Sequence, residues 1–149
     1  MGRFGVDELA CKRSNGLALT TGQWQQMRQD VERRAPEEAC GLILGEAGRA
    51  KRVIPVTNTL RSPERFRMDP KEQLEALALM EREGLELSAI YHSHPRGPAA
   101  PSETDIAEAY YPDSLYLIWF SDFGDWNCRG FWIKEGKAFE APLRIISGE

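Results

Sequence analysis

The sequence is short of the groups that most readily announce a function. Its 149 residues hold only two histidines and three cysteines. Cys11, Cys40 and Cys128 are widely spaced, odd in number and form no C-x-x-C pair, which excludes a disulfide framework and fits a reducing compartment. Positive charge is not in excess either: 19 Lys and Arg face 23 Asp and Glu, a net charge of −4. A chain that relies on nucleic-acid phosphates needs clustered cations, and no aromatic-basic platform supplies them. No apolar run approaches the ~18 residues needed to span a bilayer, and the N-terminus lacks an apolar signal core. Neither nucleic acid nor membrane is expected as a partner, and the expected location is cytoplasmic. No repeat, low-complexity tract or linker divides the chain, whose length suits one domain with a sizeable core.

What is present is concentrated in one stretch. His92 and His94, the only histidines, follow the apolar run Leu87-Ser88-Ala89-Ile90, the pattern of a strand end. Side chains on a strand alternate faces, so both imidazoles project from one face, with Ser93 turned outward between them. A Pro- and Gly-rich connector over residues 95–101 leads to Ser102 and Asp105, which read as the first turn of a helix. Residues three apart on a helix share a side, so both can face back toward the histidines.

Two imidazoles and a carboxylate supply three of the four positions of a tetrahedral zinc shell, and a catalytic site keeps the fourth open. His92, His94 and Asp105 are the expected ligands of one Zn2+ per chain. Zinc lowers the pKa of water toward ~7, but a base must still move protons, and Glu38 is the candidate. The Ser102 hydroxyl can donate to the oxyanion of an amide under attack. Structural alternatives exist for each residue: a surface His pair, Ser102 and Asp105 as a plain helix cap, Glu38 as a solvated linker charge.

The remaining chain reads as a frame for this stretch. Residues 1–16 are polar and aperiodic, an expected flexible N-terminal leader, and the domain is expected over 17–149. A short strand at 17–19 precedes a helix carrying Trp24, Met27 and Val31 at helical spacing, capped by Thr20 or Thr21 and ended by Pro36. In the strand that follows, Glu38, Cys40 and Leu42 share one face, with Ala39, Gly41 and Ile43 on the other. Cys40 reads as a small buried residue rather than a nucleophile. Residues 52–56 form a strand placed near an edge by Pro55. Residues 58–68 read as a substrate flap or a plain surface loop. Asp69-Pro70-Lys71-Glu72 starts a second helix whose buried side is Leu74, Leu77, Ala78 and Leu85, ending at Gly84. A brief helix is expected to continue through 106–110. Residues 115–120, apolar without alternation, form a strand covered on both faces. Further strands follow at 126–133 and 138–143, joined through a Glu135-Gly136 turn.

The order Glu38, His92-x-His94, seven residues, Ser102, two residues, Asp105 resembles the JAMM motif of the MPN-domain metalloproteases. The resemblance extends over about residues 17–143, including Gly45, Phe66 and Asp69-Pro70. The chain is similar to the compact prokaryotic members, since the segment from Asp105 to Leu115 lacks the Cys/His-bearing insertion of eukaryotic deubiquitinating relatives. The resemblance implies a single α/β domain of the MPN (JAMM) fold, a mixed curved β-sheet flanked by helices. It also implies a zinc-dependent isopeptidase that cuts the amide bond after the C-terminal glycine of a ubiquitin-like or sulfur-carrier protein. The expected course is Glu38-assisted attack of zinc-bound water, on a partner with a Gly-Gly C-terminus held at a strand edge. Arg96, in the connector, is a further candidate to meet an acidic neighbour of the scissile bond. Two rivals stand beside this reading: a non-catalytic binding module for a ubiquitin-like partner, and an amidase releasing an amino acid from a carrier. A zinc deaminase is excluded, because neither H-x-E nor P-C-x-x-C is present.

Overall fold

The computed structural model describes residues 16–148. The expected leader lies outside the described residues except for Gly16, whose φ of 62° and close approach to the Pro142 carbonyl leave no room for a Cβ. In chain order the elements are β1 (Leu17–Thr20), α1 (Thr21–Arg34), β2 (Cys40–Glu46), β3 (Arg49–Val56), α2 (Pro70–Glu83) and β4 (Glu86–His94). They continue with α3 (Glu103–Ala107), β5 (Leu115–Asp122), β6 (Asp125–Lys134), β7 (Lys137–Ala141) and β8 (Leu143–Ile146). All eight strands form one sheet in the order β7-β6-β5-β4-β2-β3-β1-β8. It is mixed: β4/β5, β1/β3 and β1/β8 are parallel, and the other pairs antiparallel.

Both faces of the sheet are covered. One carries Leu19, Ile43, Tyr91 and Trp119 packed with Met27 and Val31 of α1. The other carries Cys40, Leu42, Ile90 and Ile118 packed with Met68 and with Ala76 of α2. The face division expected for this stretch is observed for Cys40 and Leu42 against Ala39 and Ile43, and the unbroken apolar run of β5 is buried from Leu115 to Trp119. α1 begins where expected because Thr20 and Gln23 exchange side-chain and backbone hydrogen bonds in a capping box. No helix among the described residues is long and apolar enough to cross a membrane.

Four expectations are corrected. The buried side of α2 is not Leu74 and Ala78, which are exposed; Ala76 is buried, flanked by half-buried Gln73, Leu77 and Met80. Leucines lie on two sides of this helix, so periodicity alone had no unique phase. β3 is interior in the sheet, yet β1 meets it only at Ala18 opposite Arg49, so Pro55 sits where no outer strand asks for its missing N–H. α3 stops at Ala107 instead of running to Tyr110. The last strand splits at Pro142: β7 pairs with β6 at one end of the sheet and β8 with β1 at the other. Strands separated by one residue can occupy opposite ends of the order only if the sheet curls until its edges nearly meet, and the Leu17 amide does donate to the Pro142 carbonyl at 3.2 Å.

Gly41 permits the tight contact between β2 and the buried Tyr91 ring, since a Cβ there would lie 2.3 Å from a ring carbon. The ring cannot step aside, because its hydroxyl donates to buried Asp30 at 2.7 Å and Asp30 accepts from Arg34 at 3.0 Å. Gly41→Ala is expected to cost about 1–3 kcal/mol, read as a lower denaturant midpoint. An unchanged midpoint would mean that the ring is free to shift.

Candidate metal centre and active site

The antiparallel register of β2 and β4 sets Cys40 opposite His92. Glu38, two residues before Cys40, therefore comes level with His94 and on the same face. The Ser93 amide donates to the Ala39 carbonyl at 3.0 Å, and the Ala39 amide to Ser93 Oγ at 2.7 Å, which closes this end of the pair. Ser93, expected to turn outward, is fully buried. The far side of β4 is core rather than solvent, and its hydroxyl is satisfied by a backbone group there.

His92 and His94 share one face as expected, and Asp105 meets them. His92 Nε2 and His94 Nε2 are 3.1 Å apart, and Asp105 Oδ2 lies 3.2 Å and 3.1 Å from them. A tetrahedral zinc shell with bonds of about 2.0–2.1 Å has ligand-to-ligand edges of about 3.3–3.4 Å. The three atoms form one triangular face of such a shell to within a few tenths of an ångström. His94 Nδ1 lies 2.8 Å from the Pro98 carbonyl, so that nitrogen keeps a proton and donates it; in the neutral ring Nε2 then turns its lone pair toward the triangle, and in the protonated ring it donates to Asp105. His92 is packed by the Phe66 ring, 4.7 Å between centroids and inclined by 28°.

Electrostatics favour a cation at this point. Burial alone would raise the Asp105 carboxyl, but hydrogen bonds from His92 and His94 hold it well below the usual carboxylate range. Burial holds His92 below its ordinary value. For His94 burial acts in the same sense, yet the bonds to Asp105 and Pro98 outweigh it and move it up. In the metal-free chain a proton is thus stabilised where a metal would carry positive charge.

Glu38 is 4% exposed, and burial pushes its carboxyl up to about 8, opposed by His94 and reinforced by Asp105. It is not a solvated linker charge. Ser102 accepts from the Asp105 amide through Oγ at 3.0 Å while its own amide donates to Asp105 Oδ2 at 2.8 Å. Capping and catalysis are compatible in this hydroxyl: the cap uses a lone pair, and the proton stays available to donate. Cys40 is buried with its thiol pushed up to about 12 by burial, which leaves it a packing residue. Arg96 is exposed on the connector.

Beside His92 opens a cavity of about 340 Å³ with Leu42, Phe66, Met68, Ile90 and Tyr116 in its lining. Segment 58–68, joined to itself by an Asn58–Met68 bridge, contributes one wall. The sequence offered no sign of the Phe66 stack, the Pro98 carbonyl or the bonding of Asn58. All three lie in irregular segments, where no periodicity says which way a side chain points.

A model of the family described as prokaryotic homologs of the JAB domain matches residues 20–133. The chain is 43% identical to a probable TtuB-protein conjugate cleaving protease of Thermus thermophilus, over 87% of this chain and 83% of that protein. It is 38% identical to the CysO-cysteine peptidase of Mycobacterium tuberculosis, over 78% and 82% of the two chains. The crystal structure of a JAB1/MPN domain protein from Archaeoglobus fulgidus has the same fold, with a TM-score of 0.58 at 17% identity over 88% of this chain and 98% of that one. With a curled mixed sheet, a His-His-Asp cluster at the end of β4 and relatives of this kind, the chain belongs to the prokaryotic JAB-domain family and is a hydrolytic peptidase.

Proposed function

We propose that this chain is a zinc-dependent peptidase that hydrolyses the amide bond after the C-terminal glycine of a ubiquitin-like or sulfur-carrier protein ending in Gly-Gly. The observation that carries the reading is the triangle of His92 Nε2, His94 Nε2 and Asp105 Oδ2 beside the buried carboxyl of Glu38. The names of the relatives, one a protease of protein conjugates and one a peptidase named for cysteine, support an amide at a carrier's end as the target. Zinc held by His92, His94 and Asp105 would supply a Lewis acid and make hydroxide available near neutral pH.

The remaining work falls to the chain's own groups. Glu38 takes the proton of the attacking water and delivers it to the departing amine. Its value of about 8 in the metal-free chain would be drawn toward neutrality by a cation at the neighbouring cluster, so the group can both accept and return a proton at working pH. Ser102 donates its free hydroxyl proton to the developing oxyanion. An extended Gly-Gly tail lies along segment 58–68, held by backbone hydrogen bonds, and its lack of side chains suits a close approach to the metal cluster.

The test uses a small carrier whose Gly-Gly end is amide-linked either to a second protein or to a single amino acid. The zinc-loaded chain is expected to release the carrier with a free terminal glycine, and replacement of Gly-Gly by Val-Val to abolish release. The pair of substrates separates protein processing from amino-acid release. A carrier bound tightly but left intact would sink the peptidase reading in favour of a binding module.

A further inference from the structure

Asn58 is neither one of the three clustered ligand candidates nor one of the catalytic candidates Glu38 and Ser102, yet it is buried at 4% exposure and uses its whole amide. Nδ2 donates to the carbonyls of Glu38 and Arg65, each at 3.0 Å. Oδ1 accepts from the amides of Leu60 at 3.1 Å and Arg67 at 3.0 Å. Two donors and two lone pairs are the full capacity of the group.

The consequence falls on Glu38, which lies just ahead of β2. Its carbonyl accepts from Asn58, and its amide donates to the Ser62 carbonyl at 2.8 Å. Both backbone groups of the acid/base residue are thus held by segment 58–68 rather than by a neighbouring strand. The same segment carries Phe66, which stacks on His92, and forms a wall of the cavity.

Resting on the peptidase reading above, we propose that Asn58 is a positioning residue. It locks segment 58–68 to the Glu38 backbone, so that a tail lying along the segment is registered against the Glu38 carboxyl. Misplacement of a reacting group by about 1 Å can cost 100-fold in rate, whereas the loss of a loop staple that positions nothing would lower stability only.

The experiment compares Asn58→Asp, Asn58→Ser and Ser114→Ala. Asn58→Asp keeps an acceptor for Leu60 and Arg67 but loses both donated bonds, and Asn58→Ser serves if the charge prevents folding. Ser114→Ala removes a buried bond of comparable kind, from Ser114 Oγ to the Leu87 carbonyl at 2.6 Å, away from segment 58–68, and leaves the Glu38 tie intact. In folded, zinc-loaded protein the Asn58 variants are expected to lose about 10- to 100-fold in kcat with KM little changed, and Ser114→Ala to stay within about twofold. Hydrogen exchange at the Glu38 amide should quicken about tenfold in the Asn58 variants only. Wild-type kcat in those variants, or an unchanged Glu38 amide, would overturn the proposal. If the native chain cuts no Gly-Gly carrier, the peptidase reading falls. The exchange experiment then decides the tie by itself: faster exchange upholds it and unchanged protection overturns it.

Discussion

Glu38→Gln is expected to lower kcat by about 10²- to 10⁴-fold while leaving the zinc content unchanged. Gln keeps the shape of the side chain but can neither accept the water's proton nor hand one to a leaving amine. Glu38 is not part of the His92–His94–Asp105 triangle, so the metal site should survive. Zinc analysis and turnover of a Gly-Gly substrate are measured on the same preparation; full activity in the variant would remove Glu38 from the mechanism. A second readout comes from pH and needs no substrate. Burial raises the Glu38 carboxyl to about 8 in the metal-free fold, above its unfolded value of ~4.3. A raised folded value means that the native state holds the proton more tightly. Stability from this group is therefore complete below the unfolded value and is lost as pH rises through about 8. Metal-free Glu38→Gln should thus gain in thermal stability relative to the native chain at pH 8.5–9, and gain less at pH 5. Equal differences at the two pH values would show that the carboxyl is not desolvated.

Asp105→Ala should reduce bound zinc from about one per chain to a small fraction after exhaustive dialysis, a loss in affinity of more than about 100-fold. The substitution removes one donor and the negative charge that lets two neighbouring imidazoles face one cation. It also deprives the Ser102 amide of its acceptor at the start of α3, so a local structural effect must be separated from loss of the ligand. Asp105→Asn does this, since its side chain still offers the Ser102 amide an oxygen but carries no charge. If Asn restores the fold of α3 and zinc stays low, the carboxylate is a ligand. Zinc retained by Asp105→Ala would place the third ligand elsewhere. No zinc in the native chain even when it is offered would leave the histidines as a paired packing feature and turn the reading toward a binding module.

Part of this site could be read before any fold was known, because strand parity is a local rule. Residues 92 and 94 share a face of β4 whatever lies around them, and residues 102 and 105 share a side of one helical turn. The assignment of Cys40 and Leu42 to one face and of Ala39 and Ile43 to the other followed from the same alternation and agrees with the two core clusters. Capping at Thr20, Asp69 and Ser102 was likewise legible, since a cap needs only the residues next to it. The errors arose where the deciding partner was distant in sequence. Ser93 turned into core because α1 and Trp119 cover that side of the sheet. The phase of α2 was decided by the sheet face that Ala76 packs against, and the break at Pro142 by a strand pairing with residues more than a hundred positions earlier.

By itself, then, the sequence determined the chemical inventory and its local parity: two imidazoles on one strand face, a Ser and an Asp on one helical turn, and an acidic residue in phase with a second strand. These depend on backbone periods of 2 and 3.6 residues, which act over a few residues and need no partner. The tertiary structure alone decided that three of these groups converge to within 3.2 Å, that Glu38 loses its water, and that Asn58 fastens segment 58–68 to it. Desolvation and convergence come from packing β2, β4 and segment 58–68 against one another, and such contacts between distant residues leave no period in a chain.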